Sequence, residues 1–490
     1  MLQNTFHGSG TRSSRLTDLL SCGYIGLPIL IFIMGWIRWY IAIPVCCVIL
    51  FSFFLCLRKP GASLPEVQKK DKTIIILSVG IIIGWVLFSG IGGFSFQTDD
   101  HPWRNEIFRQ LVEKDWPVVS DAGQNPRFLC YYIGFWMPAA LFGKLFGLSA
   151  GFIFQSVWAI LGVILVWLKL SEYLKRWSLA ALLVFILFSG LDLLGMALKG
   201  QNIFALKWQH EIEWWTSIQF SSHTTQLYWV FNQSIYGWLI TLMILNEKKN
   251  ENLILFWSCG VLTCTFPFVG MIPFLAYKVF RKPIGTSFKE LFSVQNIAGG
   301  GLIGIISGIY LLGNTSAGSA GVGTGTFTGT AAQELSASGQ PFLIFLGDIL
   351  LFLAVEVLLY FILIFRFHRK NPLYYIALGT LILCPLIRIG GGSDFCMRAS
   401  IPALLVLCLM VTECLMDSWK KHKVRFIALM VVFLIGAITP IHELARGVFQ
   451  TIDYYRIGRP FMLYTKSDLL QANNFSSSTE GNWFYTYLAK

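Results

Sequence analysis

The stretch Thr73–Gly93, TIIILSVGIIIGWVLFSGIGG, with its continuation Phe94–Ile107, FSFQTDDHPWRNEI, decides how this chain is read. The first part carries no charge and is apolar on every side, so it lacks the alternation of a half-buried strand. About 20 such residues cross the hydrocarbon core of a bilayer as a helix. It then runs into an adjacent pair of acids, Asp99 and Asp100. Pro341–Phe365 is also apolar all round, which argues against barrel strands. The predicted fold class is an all-α polytopic membrane protein.

Composition agrees. The chain has 490 residues, 55% hydrophobic and only 13% charged, with a mean hydropathy of +0.62. Soluble domains average about 25% charged residues, so a water-soluble enzyme is disfavoured. With 41 Phe, 17 Trp and 17 Tyr, disorder is excluded. The net charge of +12 does not point to nucleic acid, because the basic residues recur in short clusters between apolar runs, as cytoplasmic loops do. The expected surroundings are membrane lipids. The eleven cysteines lie mostly within apolar segments, without C-x-x-C or metal-ligand spacing, which argues against disulfides and zinc.

Leu19–Trp36 follows a polar leader with Arg12 and Arg15 and reads as a retained first span. Further spans are expected at 41–57, 73–93, 149–168, 178–198, 229–245, 296–313, 341–365, 373–389, 399–416 and 424–439. Pro267 and Pro273 interrupt 252–280, which divides it into a hairpin of 252–266 and 267–280. Tyr131–Gly147 is ambiguous. Read as an interfacial or re-entrant helix, it leaves Lys169/Lys175/Arg176, Lys248/Lys249, Arg281/Lys282, Arg366/Arg369/Lys370 and Lys420/Lys421/Lys423/Arg425 on the cytoplasmic side. About thirteen spans result, in a multi-pass protein of the cell (plasma) membrane with a cytoplasmic N-terminus and an extracytoplasmic C-terminus. The parts are 1–93, three spans; 94–148, a loop with the acid pair and amphipathic helices; 149–439, a multispan body with outer loops 199–228, 314–340 and 390–398; and 440–490, an outer tail.

The long loops, where chemistry is expected, all fall outside. Asp99 and Asp100 sit where the low-dielectric core meets water, and two like charges so close raise one pKa, favouring a base or a metal ligand. The competing reading is a helix N-cap with Glu106 in the following turns; His101, Arg104 and Glu106 beside the pair favour function.

Here the chain resembles the GT-C glycosyltransferases, integral membrane enzymes that use polyprenyl-phosphate-linked sugars. The matching residues are Thr98–Glu106 after the span, Trp116-Pro117, Asn125-Pro126-Arg127, Tyr131-Tyr132 and Leu145-Phe146-Gly147. The resemblance covers roughly the first 200 residues, and the His-Pro-Pro of protein mannosyltransferases is absent. It implies inverting transfer from a polyprenyl-phosphate sugar donor to a glycan, lipid or protein acceptor. Asp99 or Asp100 would be the base, Asp99 being preferred, with Asp100 orienting the acceptor or a metal. His101 and Arg104 would neutralise the leaving phosphate, and Glu106 would contact substrate. No metal ligands are assigned, and a divalent ion, Mg or Mn, is left open.

Lys199–Tyr228 mixes Trp208, Trp214 and Trp215 with His210, Glu211, Glu213 and His223. The tryptophans suit either sugar faces or an interfacial belt, and the four polar residues are substrate-binding candidates. Arg388–Arg398, RIGGGSDFCMR, reads as a phosphate grip by Arg388 and Arg398 around glycines that free backbone N–H groups, with Asp394 a substrate contact. The competing reading is a tight turn with snorkelling arginines. The Gly/Ser/Thr-rich 314–340 loop reads as a connector or a lid. The in-span acids Asp192, Asp348, Glu356 and Glu413 are functional candidates by location. A transporter or flippase of lipid-linked sugars is the runner-up, but no internal repeat is visible. A polysaccharide polymerase or ligase is a third class.

Overall fold

The computed structural model describes residues 7–58, 63–120, 126–314, 329–330, 342–388, 394–418, 423–457 and 475–490. Of the described residues, 79% are helical. Its first ten principal helices are α1 (His7–Trp36), α2 (Trp39–Leu57), α3 (Lys69–Leu87), α4 (His101–Glu113), α5 (Met137–Phe146), α6 (Leu148–Leu174), α7 (Leu179–Leu187), α8 (Asp192–Leu198), α9 (His223–Asn246) and α10 (Leu253–Thr263). Local chemistry sets several starts. Gln68 and Asp71 form a reciprocal capping box on α3, and the Ser178 and Ser222 hydroxyls accept from the N–H groups of Ala181 and Thr225, meeting donors that a helix start leaves unpaired.

Seven described helical segments are long and apolar enough to cross a membrane: Ser14–Trp36, Trp39–Leu57, Leu148–Leu174, Leu179–Leu198, Gln295–Leu312, Leu346–His368 and Lys423–Arg456. Large apolar side chains stand exposed on them or their neighbours, with Ile76 and Phe280 71% and Val424 82% exposed, as lipid contact requires. This is a multi-pass membrane protein by its helices. Other expected spans occur as shorter apolar helices, Thr265–Phe280 and Pro372–Leu386. The break in 252–280 falls at Cys264 (φ −148°, ψ 65°), before the prolines, where the Gln233 side chain accepts the Phe266 N–H.

The ambiguous Tyr131–Gly147 contains only the ten-residue α5, about 15 Å long against a core of about 30 Å. Helix α9 is buried from His223 through Ile244, so it is the axis around which α6, α10 and Ile401–Ser418 pack. Among the described residues, the strands are β1 (Val119–Ser120), β2 (Arg127–Leu129), β3 (Gly329–Thr330), β4 (Ile387–Arg388) and β5 (Ser476–Ser478). The β1-β2-β5 sheet is antiparallel and ties the C-terminal segment to the first long loop. Arg127 reinforces that tie through the Ser476 hydroxyl, at 2.9 Å, and its carbonyl, at 3.0 Å. The last residues return to α1, where the Lys490 N–H bonds the Trp36 carbonyl. All eleven cysteines are free.

Candidate functional site

Helix α4 begins with His101 and Pro102 directly after the acid pair, Pro losing no needed donor in a first turn. Asp100 occupies the N-cap position, yet its side chain caps nothing. It pairs instead with Arg104 one turn on, at 2.8 Å. The same device recurs far along the chain, where Asp394 pairs with Arg398 at 2.5 Å. The fold brings the two pairs together: Arg398 acts electrostatically on Asp100 and on Tyr131 and Tyr132, whose hydroxyls bond each other.

Both guanidiniums are almost wholly buried, Arg104 at 7% and Arg398 at 8% exposure. Each lies over an aromatic ring, Arg104 over Phe231 at 5.5 Å and Arg398 over Phe266 at 5.9 Å. Each also keeps a buried nitrogen without a partner, one terminal nitrogen of Arg104 and Nε of Arg398. Unpaired buried donors are costly, and two on arginines that both act on a half-exposed Asp100 suit an oxyanion. A divalent cation does not suit it, because the acids present, Asp100 and Asp394, each already carry a guanidinium. Among the described residues, no three His, Cys, Asp or Glu side chains gather as a metal-holding set.

The electrostatics correct part of the sequence reading. Burial pushes the Asp100 carboxyl upward, but Arg104 and Arg398 outweigh it and hold the group below its ordinary range. Asp100 is thus a fixed anion and not the raised member of the pair. His101 is buried, with Nδ1 2.9 Å from the Thr98 hydroxyl. Burial, then the neighbouring Arg104, push it down to about 3. That keeps it neutral near pH 7 in this structure. Glu106 is fully buried and takes Arg109 at 2.5 and 2.9 Å and Gln110 at 2.6 Å. These bonds engage both oxygens, so it braces α4.

Asp99, in contrast, is exposed and lies near a second group. Glu211 pairs with Arg446, which also bonds Glu443 at 2.6 Å, and Trp229 Nε1 donates to Glu443 at 2.9 Å. Burial is the main cause lifting Glu211, to about 7. Arg446 opposes it, while Glu443 and Asp99 add to it. Arg446, Glu443 and Trp229 were missed from sequence; the available signal was an acid and an arginine three residues apart on the helix Ile438–Arg456, just beyond an apolar run.

The other candidates lie apart. His210 is exposed, its Nδ1 accepting the Lys207 N–H at 2.8 Å. His223 is fully buried in α9, where it meets the Phe185 carbonyl at 2.7 Å and packs against Phe185, Phe188 and Trp238. It therefore belongs to the core and not to an outer loop. Glu213 is buried too, accepting from Gln219 at 2.8 Å and the Ser222 N–H at 2.9 Å. Burial, then nearby Asp192, push it up to about 8. Asp192 accepts from Ser189 and Thr439, each at 3.0 Å, and Glu356 accepts from Trp215 at 3.1 Å. Asp348 pairs with Lys199 at 2.5 Å, and Glu413 lies 3.8 Å from His368. The backbone of Arg388 pairs with Gly329 in the β3–β4 ladder; its side chain, the glycines that follow and the body of the 314–340 loop fall outside the described residues.

No family model matches this chain, and no curated protein or solved structure matches it.

Proposed function

We propose that the protein is a membrane glycosyltransferase that moves a sugar from a polyprenyl-phosphate donor to an acceptor on the extracytoplasmic face. The observation that carries this reading is the convergence of Arg104 and Arg398, each with an unpartnered buried nitrogen, beside the acid pair and Tyr131/Tyr132. Bidentate, charge-assisted binding of phosphate oxygens is what such guanidiniums do best. As the sugar–phosphate bond breaks, negative charge grows on the phosphate, and fixed cations nearby stabilise that transition state.

In this reading Asp99 takes the proton from the acceptor hydroxyl. It is the exposed member of the pair, whereas Asp100 is locked to Arg104 and positions that arginine. Glu211, at about 7 and close to Asp99, holds the acceptor or receives the proton onward. About thirteen spans with the N-terminus inside and the first loop and C-terminal tail outside complete the proposal; the β2–β5 pairing, which puts that loop and the tail on one side of the bundle, supports it.

The test is donor consumption by the purified protein given a polyprenyl-phosphate sugar. Asp99→Asn is expected to lower turnover by about 10²–10⁴, the usual contribution of a general base, with donor binding intact. Full turnover in that variant overturns the assignment, and no consumption by the wild type with any acceptor class overturns the reading.

A further inference from the structure

A second built site lies at the far end of the bundle. The Ser156 hydroxyl of α6 bonds the Ile91 carbonyl near the acid pair, and Lys169 follows thirteen residues later, about 20 Å along the helix. There a cavity of about 370 Å³ opens between the ends of α1, α2, α6, α9 and α10. Lys169 is 4% exposed, and its ammonium bonds Asp18 at 2.6 Å and Glu172 at 2.9 Å. Two carboxylates thus face one buried cation, leaving one negative charge unbalanced. The second oxygen of Glu172 has no partner although the side chain is 1% exposed, and Asn252 Oδ1, on the same wall, has none either. Asn252 Nδ2 is already committed to Glu247 at 3.1 Å. Lys248 and Lys249 stand exposed on the lining, and Cys22, Met243 and Phe256 supply an apolar side.

We propose that this cavity binds a zwitterionic aminoalkyl phosphate, its primary ammonium on Glu172 and Asn252 and its phosphate on Lys248 and Lys249. A ligand ammonium offsets the excess negative charge beside Lys169 and supplies N–H donors to both unpartnered acceptors, whose desolvation is otherwise uncompensated. A quaternary ammonium has no N–H to give. A bare metal ion would need more oxygen ligands than the two unpartnered acceptors supply. The headgroup of an ethanolamine phospholipid and free phosphoethanolamine share this chemistry. The proposal stands independently of the transferase reading.

The test is native mass spectrometry of the full-length protein titrated with dioleoyl phosphatidylethanolamine or phosphatidylcholine, and separately with phosphoethanolamine or phosphocholine. The primary amine is expected to be retained about tenfold better than the quaternary form in one pair, as a charge-assisted bond implies. Preference in the lipid pair alone assigns the headgroup, and preference in the soluble pair assigns the free ligand. Glu172→Gln should erase the preference, and Lys248→Ala with Lys249→Ala should weaken binding of both forms about tenfold. Equal retention of amine and quaternary forms in both pairs overturns the proposal, as does an unchanged preference in folded Glu172→Gln. Should Glu172→Gln fail to fold, the exposed lysine pair still decides, because undiminished binding there overturns it.

Discussion

Two groups of acids in this molecule face opposite conditions. Around α4, Asp100 and Asp394 each hold a buried arginine, and Asp100 stays ionised below its ordinary range. Around α8, Asp192, Glu213 and Glu356 gather with hydroxyl, amide and indole donors, and the described residues place no cation against them. Glu213 is pushed up to about 8 as a result. Burial acts on both groups in the same sense, so the presence of a guanidinium decides the charge state. The first arrangement is suited to receiving an anion through its arginines; the second is suited to holding protons in a tightly packed interior.

The comparison breaks most readily at Arg398. Arg398→Ala removes one of two phosphate donors and should raise the donor KM by about 10–100-fold with a smaller change in acceptor dependence, the range for a charge-assisted bond. Steady-state kinetics with each substrate varied checks this, and an effect confined to the acceptor would place the donor elsewhere.

On the other side, Gly190 lies where an added Cβ would fall 1.7 Å from Glu356 Oε2 and 2.9 Å from its Cα. Gly190→Ala should destabilise the protein by about 1–3 kcal/mol, the usual range for overpacking a core, read as a drop in melting temperature in detergent. An unchanged melting temperature would mean that the acid cluster has room to yield around Gly190.

The pH dependence sharpens the contrast. A carboxyl raised to about 8 from its ordinary 4.5 binds its proton more tightly in the folded state. Its stabilisation is complete below pH 4.5 and is lost as pH rises through about 8. Thermal stability of the wild type should therefore fall across that window, and Glu213→Gln should flatten the fall; an identical slope in the variant removes Glu213 as its source. The smallest effect is expected for Glu356→Gln. Its amide oxygen can still accept from Trp215, so the loss should stay near or below about 1 kcal/mol, the net worth of one hydrogen bond. A much larger loss by thermal denaturation would reveal a cation or ligand that the cluster serves.

Much of this was legible beforehand in particular residues. The apolar runs at 19–36, 41–57 and 149–168 announced membrane helices, and the neighbouring acids after Phe94 drew attention to the loop that holds Asp100 and Arg104. Asp394 and Arg398 were marked as well, because charges flanking glycines between apolar runs are conspicuous. Glu106 and His223 misled, since local pattern shows that a polar side chain exists but not that Arg109 or the Phe185 carbonyl already engages it. Arg446 went unnoticed because Glu211, which it pairs with besides the neighbouring Glu443, comes from a distant part of the chain.

Taken alone, the order of residues determined the helical membrane character, since apolarity over a bilayer's thickness and backbone hydrogen bonding depend on nearby residues only. It also set where charge was available. Tertiary structure alone decided which acids meet an arginine: the field at Asp100 comes partly from Arg398, and that at Glu211 from Arg446. Coulomb energy falls with distance through space and takes no account of distance along the chain.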